Sequence, residues 1–119
     1  MRDYQTENYR SKSNLMENLR GKQKHYLRGE AHHMRPLFAV GKNGLTDEWL
    51  TQLTGALDKR ELIKVNILQN ADVTTAEVKA AIEQKTAITV VQTIGRVLVL
   101  YLPASHEEDQ HYSLEVAKL

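Results

Sequence analysis

The sequence predicts an α/β fold: a compact two-layer sandwich, with a four-stranded mixed sheet and elements in the order α-β-α-β-α-β-β. Three observations predict it. Two strand-like runs, 37–40 and 62–68, are each followed by a segment with helical periodicity and an N-terminal cap signal. Val97 to Leu102 (VLVLYL) is apolar at every position, as befits an interior strand covered on both faces. Only Ile94-Gly95-Arg96 separates the last two strand-like runs, and its glycine supplies the positive φ of a tight hairpin.

The elements are justified in chain order. Residues 1–18 are polar and aperiodic, and read as an N-terminal extension. A helical pattern spans Leu19 to Met34, with Leu19, Gln23, Tyr26, Leu27 and Ala31 on one face and Lys22, Arg28 and Arg35 offering a basic stripe. Pro36 ends it, because the residue before a proline is pushed out of the helical region. Leu37 to Val40 is a short strand. Thr46 then offers an N-cap oxygen, and Asp47 and Glu48 place negative charge in the first turn of the next helix. Trp49, Leu50, Leu53, Ala56 and Leu57 form its buried stripe. The four large ones contribute about 1.5–3 kcal/mol each, before chain entropy is subtracted. Leu62 to Leu68 alternates, with Ile63, Val65 and Ile67 facing one way. Thr74 and Glu77 form a capping box for a helix whose core face is Val78, Ala81 and Ile82. Residues 88–93 and 97–102 complete the sheet. Two strand–helix–strand crossovers set their strands parallel. The domain therefore spans 19–103, and residues 104–119 read as a loose acidic tail.

Composition narrows the function. At 119 residues the chain suits one domain. It has no cysteine, which excludes disulfides and thiolate metal sites and permits a reducing cytoplasm, the expected location. No apolar run reaches the ~20 residues of a membrane span, so no membrane partner is expected. The net charge of +1 hides an asymmetry. Between Arg20 and Lys42, six basic residues face one acid, Glu30; from 104 onward, four acids face Lys118. Such a local basic block on a near-neutral chain suggests either a binding face or a solvated helix face.

The loop Gly41-Lys42-Asn43-Gly44 joins a strand end to a helix start, where free N–H groups and the dipole attract anions. Its glycines let backbone approach a phosphate, and Lys42 adds charge. Simple turn chemistry explains the same glycines. The loop is too short for the Walker pattern and lacks the third glycine of the dinucleotide fingerprint. KH domains clamp nucleic-acid backbone with a GxxG loop, though theirs joins two helices. Here the loop closely follows a basic helix.

Four blocks in unbroken order carry a resemblance: KQKHYLRGEAHHMRP (22–36), VGKNGLT (40–46), RELIKV (60–65) and VQTIGRVLVLY (91–101). Together they resemble the CRM domain, named for chloroplast RNA splicing and ribosome maturation, and in particular its bacterial stand-alone, YhbY-like members. The resemblance implies a fold similar to the C-terminal domain of translation initiation factor three. It implies RNA binding and association with large-subunit ribosomal RNA in pre-ribosomal particles; in plants, related domains serve group II intron splicing. It places the GxxG loop on Gly41, Lys42, Asn43 and Gly44, basic helix positions on Lys22, Lys24 and Arg28, the Ala-His pair on Ala31-His32, and the basic residue after the hairpin glycine on Arg96. With Arg35 and His32 from the basic stretch, these form the expected RNA-binding set. Two departures stand out. Leu102 occupies a position where bacterial members often carry arginine, and the family chain usually begins close to the first helix, which makes Met16 a candidate start.

Other residues carry blander readings. His25 and His32 lie two helical turns apart, about 10 Å, too far for one ion, so no metal and no cofactor are expected. Trp49 reads as core, the direction of Tyr101 is open, and Glu61 with Lys64 reads as a surface ion pair. No nucleophile–base set stands out, so a monomeric RNA-binding protein, not an enzyme, is expected. The alternatives are a small nucleotide- or phosphate-binding enzyme using GKNG as an anion hole, and a protein adaptor using the acidic tail.

Overall fold

The computed structural model describes residues 19–119; the polar stretch 1–18, with Met16, lies outside the described residues. Helix α1 (Gly21–Ala31), strand β1 (Pro36–Val40), α2 (Asp47–Arg60), β2 (Leu62–Ile67), α3 (Thr75–Lys85), β3 (Thr89–Ile94) and β4 (Val97–Tyr101) follow in the expected order. The sheet order is β1-β2-β4-β3. β1 pairs parallel with β2, and β4 pairs antiparallel with both its neighbours. Both helical crossovers thus join strands of like direction. The carboxyl ends of β1, β2 and β3 gather at one end of the sheet, beside the start of β4.

The period-2 reading of β2 decides which side each residue serves. Ile63, Val65 and Ile67 pack with Leu53 and Leu57 of α2 and with Val78 and Ile82 of α3. Leu62 turns to the opposite face and packs with Leu27 and Ala31 of α1. β4 is divided the same way: Leu98 and Leu100 join the first core, Val99 and Tyr101 the second. Val90 joins the first core and Val91 the second, and a bulge between Val90 and Gln92 then sets Gln92 opposite Val99. The α/β fold on a four-stranded mixed sheet is the expected one. Its layering is fuller than a two-layer sandwich, because helices cover part of the second face as well.

The helix ends follow from local chemistry. The Thr46 hydroxyl accepts from the Trp49 N–H at 3.0 Å. Thr74 and Glu77 close both bonds of their capping box, at 3.1 and 2.8 Å. The first helix is shorter than its periodicity suggested and ends at Ala31, so Arg35 lies beyond it at the mouth of β1.

The segment after Pro103 is not loose. It forms a 3₁₀ turn (Glu107–Asp109) and a short α4 (Tyr112–Val116). Ala104 and Val116 are buried. The anchor is Glu61, which leaves α2 in the left-handed conformation at φ 68°. Its carboxylate is fully buried and accepts from the N–H groups of Ala104 (2.7 Å), His111 (2.8 Å) and Ser113 (3.1 Å). Glu61 and Lys64 therefore form no surface ion pair: one holds the C-terminal segment, and the other turns to the opposite end of α1.

Candidate nucleic-acid interface

The end of the sheet is built by three connected turns. Gly41 to Gly44 forms a tight turn, closed by the Gly44 N–H donating to the Gly41 carbonyl at 3.0 Å. Gly44 takes φ +71°, which an L side chain rarely adopts. Asn43 does not, since Glu61 is the only non-glycine residue with positive φ among those described. Lys42 and Asn43 stand exposed at the turn's centre. The Leu68 N–H donates to the Val40 carbonyl at 2.9 Å and brings the β2–α3 connection alongside. Arg96, in the β3–β4 turn, then donates to the carbonyls of Ile67 (3.1 Å) and Leu68 (2.8 Å). Its guanidinium stitches the three turns together, with the rest of the exposed side chain facing outward.

The N-terminus of α2 is already satisfied. Thr46 caps it, and Asp47 and Glu48 occupy its first turn. Two carboxylates there oppose a further anion on the helix dipole. Any attraction of this loop for phosphate rests on Lys42 and the exposed turn itself, not on the helix end expected to provide it.

Helix α1 lies across the second face of the sheet. Leu27 and Ala31 are its buried anchors. At about 100° per residue, Lys24, Arg28 and His32 share one flank, while Lys22 turns roughly 120° from Arg28. The helix is fixed at both ends. The Gln23 amide donates to the Val116 carbonyl at 2.9 Å, and Lys64 donates to the carbonyls of His32 (3.2 Å) and Met34 (3.1 Å). Lys64 thus acts as a cationic cap on the α1 carboxyl end, a role its position in a strand did not announce. His32 packs edge-on against His33, with ring centroids 4.9 Å apart.

The expected residues therefore form two groups and two isolated positions. Lys24, Arg28 and His32 line one flank of α1; Gly41, Lys42, Asn43, Gly44 and Arg96 build the end of the sheet. Arg35 stands at the other end of β1, about 20 Å of extended chain from Lys42, and lines a separate hollow of about 400 Å³ with Leu37, Arg60 and Tyr112. Lys22 faces outward. Among the described residues, none of these cations pairs with a carboxylate; the ion pairs there are Lys59–Asp109 and Lys118–Glu115. A hollow of about 350 Å³ between α1 and the sheet is lined by Arg28, His32, Gln92, Ile94 and Val99. Gln92 and Ile94 escaped the sequence reading because the bulge that redirects β3 has no signature in its residue types.

The aromatic residues resolve cleanly. Trp49 packs perpendicular to Phe38 at 5.9 Å and donates its indole N–H to the Ala39 carbonyl at 3.0 Å. Tyr101 is buried against α1. Burial, with the Glu61 carboxylate adding to it, raises its phenol well above the ordinary value. Among the described residues no helix is long and apolar enough to cross a membrane, and no group of three or more His, Asp or Glu gathers that could hold a metal.

A family model described as the CRS1 / YhbY (CRM) domain matches residues 19–101. A Bacillus subtilis protein named "Probable RNA-binding protein YqeI" is 47% identical over 83 residues, covering 70% of this chain and 86% of that one. A Haemophilus influenzae protein named "RNA-binding protein" is 41% identical over 95 residues, covering 80% and 96%. The solution structure of the Staphylococcus aureus protein SAV1595, described as a candidate RNA-binding protein, superposes with a TM-score of 0.63. It is 36% identical and covers 79% of this chain and 98% of that one.

Proposed function

The chain belongs to the CRS1 / YhbY (CRM) domain family, and from that premise we propose that it binds RNA through the GKNG turn and the basic flank of α1. The observation that carries this reading is the set of exposed cations, unpaired among the described residues, on a helix braced at both ends and on turns stitched together by Arg96. Unpaired cations on rigid elements meet phosphates with little ordering cost. The names of the two bacterial relatives support the same reading.

The finer proposal is that the RNA is large-subunit ribosomal RNA and that the protein acts in assembly of that subunit, as a cytoplasmic monomer. Phosphate contacts position a protein without reading sequence, so the selectivity arises from RNA shape or from unpaired bases. We read it as a binding protein and not as an enzyme. The anion-hole alternative is disfavoured by Asp47 and Glu48, which set two carboxylates where the helix dipole would otherwise act.

Crosslinking to RNA in cells tests the proposal. The parent is expected to yield crosslinks concentrated on large-subunit ribosomal RNA. A chain carrying Lys24→Ala, Arg28→Ala and Lys42→Ala is expected to lose most of them. Signal unchanged in that triple variant refutes the site, and crosslinks spread evenly over cellular RNA refute the assembly role.

A further inference from the structure

The hollow between α1 and the β3–β4 end of the sheet has a character that phosphate binding alone does not require. Ile94, left 56% exposed at the sheet's end, gives it apolar area, with the buried Val99 beneath. Gln92 also lines it, and its amide has no hydrogen-bond partner among the described residues. Arg28 and His32 stand at the rim. An amide presents two donors and an acceptor. Guanidinium and imidazole planes stack on bases. An apolar surface, a free amide and a cationic guanidinium beside an imidazole plane are the features a nucleotide matches. Its base has an apolar face and a polar edge, and its phosphate is an anion.

We infer that this hollow receives an unpaired base, so that the RNA segment recognised is single-stranded. The inference rests on the RNA-binding reading and narrows its ligand. A duplex keeps its base faces stacked inside the helix and cannot offer one here. The hollow, at about 350 Å³, has room for a base with its sugar and not for a paired helix. It is also continuous with the end of the sheet. Ile94 leads through Gly95 to Arg96, Arg96 holds the Leu68 carbonyl, and Leu68 lies beside Gly41. A strand whose base enters beside Arg28 therefore has its neighbouring phosphates directed toward α1 on one side and toward Lys42 on the other.

Fluorescence anisotropy with the full chain and three short RNA probes tests this. The probes are a single strand, the same length made abasic, and a blunt duplex. The parent is expected to bind the base-bearing strand about tenfold more tightly than the abasic one, the effect of roughly one stacked base. Gln92→Ala combined with Ile94→Ser should remove that preference and leave abasic binding and its salt dependence unchanged. Gln92→Glu, which keeps the shape and removes both donors, should weaken the base-bearing strand more than the abasic one. Equal binding of both strands by the parent, with Lys42→Ala weakening each, overturns the inference and leaves the phosphate reading standing. A parent that prefers the duplex overturns it too. A parent that binds none of the probes removes the RNA-binding reading on which the inference rests.

Discussion

Glu61 carries two unusual burdens at one position. Its backbone takes the left-handed conformation that a helix end ordinarily gives to glycine, and its side chain organises a segment forty to fifty residues away in sequence. Burial raises the pKa of this carboxyl. The Ala104 N–H, the neighbouring Ser113 hydroxyl and the N–H groups of His111 and Ser113 more than offset that, so it titrates below the ordinary carboxylate value. A lowered pKa stabilises the fold above the unfolded-state value, and this stabilisation fades as pH falls through the folded one. Glu61→Gln is expected to cost about 1–3 kcal/mol at neutral pH by urea denaturation, because one amide N–H₂ faces a donor. The gap between parent and variant should close as pH drops below about 4.3. A gap that stays constant as pH falls well below that value would refute the assignment. The two loop glycines differ in a similarly testable way. Gly44→Ala is expected to destabilise by about 1 kcal/mol in the same assay, for its φ of +71°. Gly41→Ala is expected to leave stability nearly unchanged, since an added Cβ meets Leu68 at an ordinary 3.7 Å. Gly41→Ala therefore probes access to the loop with little disturbance of the fold.

Among the elements, α1 depends on the C-terminal segment beyond the sheet. The Gln23–Val116 hydrogen bond and the packing of Val116 against the α1 core make α4 a brace for the basic helix. A loose acidic tail would repel RNA, so its removal would tighten binding. A brace predicts the reverse: deleting residues 104–119 should lower the melting temperature by several degrees and weaken RNA binding, while Glu107→Gln with Glu108→Gln should do neither. Thermal melting and anisotropy on the same samples separate the two cases. This element also marks the boundary of what the sequence discloses. Thr46, Thr74 with Glu77, and the alternation of Ile63, Val65 and Ile67 each act within a few residues, so local pattern places them correctly. The docking of α4 depends on a buried acid and three N–H groups brought together by tertiary structure. A polar, acidic stretch gives no local sign of it. Lys64 is the same kind of case: a lysine on the half-polar face of a strand reads as solvated, and only the return of α1 supplies the carbonyls it serves.

At the scale of the molecule, charge is organised where mean composition conceals it. The loop, the helix and the order of elements along the chain were legible from the residues. The spacing of the cations was not, because periodicity extended α1 past Ala31 and carried Arg35 onto it. Most of the cations lie on the α1 side and the strand-end rim of one rigid sheet, so they act together on an extended polyanion. Neutralising about five phosphates of single-stranded RNA should give a slope of roughly −3 to −4 for log affinity against log salt. Titrations at several salt concentrations measure it directly, and a slope near zero would exclude the electrostatic mechanism. The triple variant at Lys24, Arg28 and Lys42 should flatten the slope by about two.

The indole of Trp49 has a practical consequence. It is the only tryptophan in the chain, and its N–H is held by the carbonyl of Ala39, next to the strand residue that leads into the GKNG turn. The ring is partly buried, so its emission is sensitive to any change in the hydration or the position of that turn. The protein thus carries a native optical reporter at one end of its proposed RNA track. Ligand arrival at the loop is observable without a label, and it is separable from arrival at the α1 hollow, which contains no fluorophore of its own.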